Sequence, residues 1–124
     1  MVSQILLYVG SFFLFVWGVA HLFPTRSVVA GFGDISIDNK RIITMEWIIE
    51  GLSLIFIAAV VALATTMDAT AAILKGLYWL SVVMLAVLVA VSLFTGAKIN
   101  FLPFKLCPVI FTTAAVLIAL GSSV

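Results

Sequence analysis

Glu46 and Glu50 stand one helical turn apart in Ile42–Ile57, a run that is otherwise almost wholly apolar. Spacing of i, i+4 puts both carboxyl groups on one helix face, which Ser53 and Ile57 continue. A carboxylate in a membrane helix costs a few kcal/mol on insertion scales, so it faces a bundle interior and a partner there. The chain has five acidic residues, and two of them are in this run. Its one histidine, His21, closes the first apolar segment, with Trp17 one turn earlier on the same face. A carboxyl and an imidazole held together in an apolar setting can pass a proton, so Glu50 and His21 are the catalytic candidates if there is catalysis. Trp17, Trp47, Glu46 and Ser53 join them as candidate ligand-binding residues. Imidazole and carboxylate also suit zinc or iron, but a lone histidine leaves a closed metal site short of ligands, and no metal or cofactor is expected.

Each of these residues also has a plain reading. His21 can cap the end of its helix and donate to a carbonyl or to Glu46. Glu46 can pair with Lys40 or Arg41 and hold two helices in register. Glu50 is deeper, and Gly51 beside it lets a neighbouring helix come close. The two tryptophans can be packing or interfacial anchors. The single cysteine, Cys107, excludes an intramolecular disulfide and a Cys-cluster metal site, and reads as a small buried hydrophobe.

Positioning these groups falls to a chain of 124 residues that is 65% hydrophobic and 9% charged, with a mean hydropathy of +1.40. A soluble domain has about a quarter of its residues charged, and a core of this size cannot bury so much apolar surface in water. The solvent implied is lipid. A net charge of +1 leaves no basic patch for nucleic acid.

Four stretches are long enough, or nearly so, to cross a hydrocarbon core of about 30 Å. The first runs from about Gln4 to Phe23 and stops at Pro24. It lacks a basic leading region and a small-residue cleavage site, and reads as a retained span. The second begins near Asp38 or Asn39, capped by Ser36 or Asp38, and ends near Thr66. The third runs from about Thr70 to Thr95. The fourth starts near Pro103, a favourable first-turn residue, and ends near Leu120. Pro108 is expected to kink it or to delay its regular part. The fold class is therefore all-α, a four-transmembrane-helix antiparallel bundle forming one domain over residues 1–124.

Loop charge orients the bundle. Arg26, Lys40, Arg41, Lys98 and Lys105 lie in or beside the first and third loops, and only Lys75 lies by the second. The positive-inside rule puts the first and third loops in the cytoplasm and both termini outside, in a cell inner (plasma) membrane. His21, Glu46 and Glu50 then share one depth near the cytoplasmic end. Tyr8, Tyr78 and Trp79 fall in the outer half as aromatic-belt residues. The loop Pro24–Asp38 is too apolar to be purely solvated, with Val28, Val29, Phe32, Ile35 and Ile37, and Gly31 and Gly33 permit a turn. It folds back onto the membrane surface, or lies as a lid over the polar cluster.

The run Glu46-Trp47-Ile48-Ile49-Glu50-Gly51-Leu52-Ser53-Leu54-Ile55, followed by a small-residue turn and Ala71-Ala72-Ile73-Leu74, resembles the DoxX-like family of small four-helix membrane proteins. Glu46 best matches the glutamate that precedes that family's Gly-Leu-x-Leu run. The resemblance covers about the first three helices and implies association with membrane redox systems, or quinone-linked thiosulfate oxidation, for some members. Small multidrug transporters are also four-helix proteins of this length, with one essential membrane glutamate, but theirs lies in the first helix. Sterol-isomerase-like bundles share the pairing of His with Glu.

The expected function is binding of an apolar ligand (a quinone, isoprenoid or membrane lipid), or service as an accessory subunit to a membrane redox partner. Proton-coupled transport by a homo-oligomer, or isomerase or oxidoreductase chemistry with Glu50 and His21 as proton shuttle, are the alternatives.

Overall fold

The computed structural model describes residues 1–68 and 71–124. The described residues form helices and no strand: α1 (Val2–Leu22), α2 (Thr25–Ala30), α3 (Ile37–Asp68), α4 (Ala72–Phe94), a 3-10 turn at Gly96–Lys98 and α5 (Leu102–Ser123). Four of these helices are long and apolar enough to cross a membrane.

Local chemistry explains most of the boundaries. Pro24 follows the end of α1, and the Thr25 hydroxyl donates to the Leu22 carbonyl at 2.6 Å, satisfying one of the last-turn acceptors. Ser36 caps α3: its Oγ accepts the Asn39 N–H at 3.1 Å. Pro103 lies in the first turn of α5 as expected. Pro108 does not delay that helix, which is continuous from Leu102. The expected start of the third span at Thr70 falls outside the described residues. The loop after α1 is not wholly irregular, because Thr25–Ala30 forms the short helix α2, which ends at Gly31 and is followed by Gly33 at φ 71°.

The helix α1 packs against both α3 and α5, and α5 packs against α4, while α3 and α4 meet only sparsely. Gly18 and Gly51 make the α1–α3 approach close: a Cβ built on Gly18 would lie 2.9 Å from the Gly51 carbonyl oxygen. Further along the same pair, the Ser11 hydroxyl donates to the Ala58 carbonyl at 2.7 Å. Ser3 Oγ bonds the Gly121 carbonyl and so joins the start of α1 to the end of α5. The core holds Leu7, Leu14, Leu54, Val61, Leu85, Phe111, Ala114 and Ile118. Tyr78, expected in an outer aromatic belt, is instead fully buried. Its hydroxyl lies 3.1 Å from Thr65 Oγ1, which gives the phenol a polar partner inside the core and lets the ring pack there. The outward faces stay apolar, with Phe12, Phe56, Leu63, Ile73, Leu80 and Val83 exposed.

Candidate functional site

His21 occupies the last turn of α1 and is 8% exposed. Its ring lies flat on the indole of Trp47 from α3, with centroids 3.9 Å apart and planes 15° from parallel. The same indole donates its Nε1–H to the His21 backbone carbonyl at 2.7 Å. Trp47 therefore fixes both the ring and the helix end: α1 stops at Pro24, so its last carbonyls need donors from elsewhere. Phe104 meets Trp47 edge-on at 5.6 Å, and Phe101 meets Phe104 in the same manner at 5.6 Å.

Glu50 Oε2 approaches His21 Nε2 to 3.4 Å, with the glutamate side chain 42% exposed and the histidine side chain 6%. The distance is that of an ion pair, but the contact lacks hydrogen-bond geometry, and Nε2 has no hydrogen-bond partner among the described residues. The indole N–H of Trp17 is likewise buried without a partner among them.

A cavity of about 700 Å³ opens beside this cluster. Trp17, His21, Trp47 and Cys107 line it from the long helices. Ser27, Val28 and Phe32 line it from α2 and the turn that follows, and Ile99, Phe101 and Phe104 from the other linker and the start of α5. The α2 segment and the turn after it thus border the cavity beside His21.

The candidates expected from sequence do not all converge here. Trp17, His21 and Trp47 line the cavity, and Glu50 reaches His21 without lining it. Glu46 is exposed. Its expected partner Arg41 pairs instead with Asp38, three residues away, at 3.6 Å. Helical spacing does put Glu46 and Glu50 on one stripe, but Trp47 takes the place against the end of α1 and Glu50, not Glu46, reaches His21. Ser53 lines a separate groove between α3 and α4, and its hydroxyl turns back to the Ile49 carbonyl at 2.7 Å.

Cys107, Phe101 and Phe104 were not legible as site residues, and Val28 and Phe32 entered only as apolar residues of the first loop. They come from segments far apart in sequence, and no spacing motif joins them. Cys107 is buried, as a small hydrophobe would be. Among the described residues, no three His, Cys, Asp or Glu side chains converge as a metal site would require.

The arrangement can hold an apolar molecule against aromatic walls, beside an imidazole that has a carboxylate behind it. In comparisons with protein-family models, with curated proteins and with solved structures, the chain matches none.

Proposed function

We propose that this chain is an integral membrane protein, an antiparallel bundle of four spans, that binds one apolar molecule in the cavity under α2. The cavity carries the reading: it is concave, mostly apolar and of the size usual for small-molecule sites, with His21 and Ser27 among its lining residues. Quinones, isoprenoids and single-chain lipids are the ligands that such a site suits. The apolar outer faces support insertion in a bilayer, and Arg26, Lys40, Arg41, Lys98 and Lys105 at the first and third linkers support a cytoplasmic position for the cavity. The resemblance of the Glu46–Ile55 run to DoxX-like proteins is compatible with an accessory role beside a redox partner.

Native mass spectrometry of the protein purified in mild detergent tests the proposal. One apolar molecule per chain is the expected result. No bound molecule, and no rise in melting temperature when quinone, isoprenol or lipid extract is added, would overturn it.

The contact of His21 with Glu50 favours one second reading, in which the pair exchanges a proton and the protein moves its ligand across the bilayer. Proton-dependent uptake into reconstituted vesicles, lost in Glu50→Gln, is the result that reading requires.

A further inference from the structure

Among the described residues, two apolar hollows of similar size differ in chemistry, and the contrast points to a ligand class. The groove between α3 and α4, about 650 Å³, is lined by aliphatic side chains with Phe56 as its one aromatic ring. Its two serines are already bonded to the Ile49 and Leu77 carbonyls of their own helices. The cavity under α2 is lined instead by Trp17, Phe32, Trp47, Phe101 and Phe104, together with His21. A flexible acyl chain gains its contact from either wall. A flat ring gains more from the second, because aromatic pairs add offset-stacked and edge-on attraction to the burial of area.

Charge narrows the class further. None of the lining residues is a Lys, Arg, Asp or Glu. A carboxylate or phosphate head drawn inside would lose water without gaining a cation, which is costly. Aromatic faces do attract organic cations. Here, however, one face of Trp47 is covered by His21, and no carboxylate lines the cavity to pair with a cation. The walls therefore offer neither a cation nor an anion a counter-charge for the water it would lose.

We infer that the cavity under α2 selects a neutral, flat, ring-bearing molecule over a fatty-acid anion or a lipophilic cation. The inference rests on the apolar-ligand reading above and specifies its ligand.

Photolabelling of the intact protein in lipid nanodiscs with anthraquinone, a neutral, planar diketone that abstracts hydrogen on irradiation, tests it. Labelling is expected to be saturable and to map to peptides carrying Trp17, Trp47 or Phe104. About tenfold excess of palmitate or tetraphenylphosphonium is expected to leave it unchanged. Val28→Trp places a ring in the cavity from α2, a helix with no buried residue, so the packing of the long helices is spared, and labelling is expected to fall about tenfold. Displacement by palmitate or tetraphenylphosphonium would overturn the neutral-ring class while leaving the cavity as a binding site. Unsaturable labelling spread over the lipid-facing helices, unchanged by Val28→Trp, would overturn the apolar-ligand reading as well. The two competitors act on the unaltered protein, so the class is decided even if Val28→Trp does not fold.

Discussion

At the scale of single residues, Trp47 is the organising side chain of the site. It covers one face of His21, gives its N–H to the end of α1, and meets Phe104 from α5. Trp47→Phe keeps a ring against His21 but leaves a last-turn carbonyl without its donor. A loss of about 1 kcal/mol of stability is expected, read as a lowered midpoint in a detergent or denaturant melt; no change would mean that water or lipid replaces the bond. The two glutamates should then separate. Glu46 is exposed and makes no ion pair among the described residues, so Glu46→Gln is expected to move stability by no more than about 0.5 kcal/mol. Glu50 is half-exposed and touches His21 off the hydrogen-bond axis. Its replacement by Gln is expected to cost at most about 1 kcal/mol, the range of a partly solvated pair. A large loss in the Glu46 variant would restore it as a structural partner and contradict the arrangement described here.

At the scale of elements, the seam between α1 and α3 depends on two glycines with unequal tolerance. A Cβ on Gly51 would meet Leu22 Cδ2 at 2.6 Å and Cγ at 2.9 Å, in a side chain that can rotate, and the Gly18 carbonyl oxygen only at a looser 3.2 Å. On Gly18 it would meet the Gly51 carbonyl oxygen at 2.9 Å, which moves only if the helices part. Gly18→Ala is therefore expected to destabilise by about 1–3 kcal/mol, the usual cost of overpacking, and Gly51→Ala by clearly less. Paired melts of the two variants check this; equal losses would show that Leu22 is as fixed as backbone. Length adds a second argument. With 32 residues, α3 spans about 48 Å at a rise of about 1.5 Å per residue, well beyond a hydrocarbon core of about 30 Å. Its first turns, with Asp38, Lys40, Arg41 and Glu46, then extend past the core in the proposed bilayer.

At the scale of the whole molecule, the proposed topology makes a direct prediction. With Cys107 replaced by Ser, single cysteines at Asp34 and Lys98 are expected to react with an impermeant maleimide only from the cytoplasmic side, and a cysteine at Val124 only from outside. Labelling of position 34 or 98 from outside alone would invert the bundle and move the cavity to the other leaflet.

Composition and local pattern were sufficient for the four apolar helices and for most of their ends. Hydropathy, Pro24, the Ser36 cap and Pro103 act within a turn or two of themselves and need no tertiary partner. The close approach at Gly51 was legible too, because only a missing side chain admits a neighbouring helix so near. Tertiary structure decided which face of each helix is covered. In a soluble protein the polar stripe marks the outward face, but these helices are apolar nearly all round, so periodicity cannot separate core from surface. Glu50 rather than Glu46 therefore meets His21, Tyr78 goes inside, and Ser53 turns to another groove, each through the placement of a neighbouring helix. The cavity is the extreme case. Its rings come from α1, α3, the turn after α2 and the approach to α5, and only the packing of those segments against one another brings them to one place.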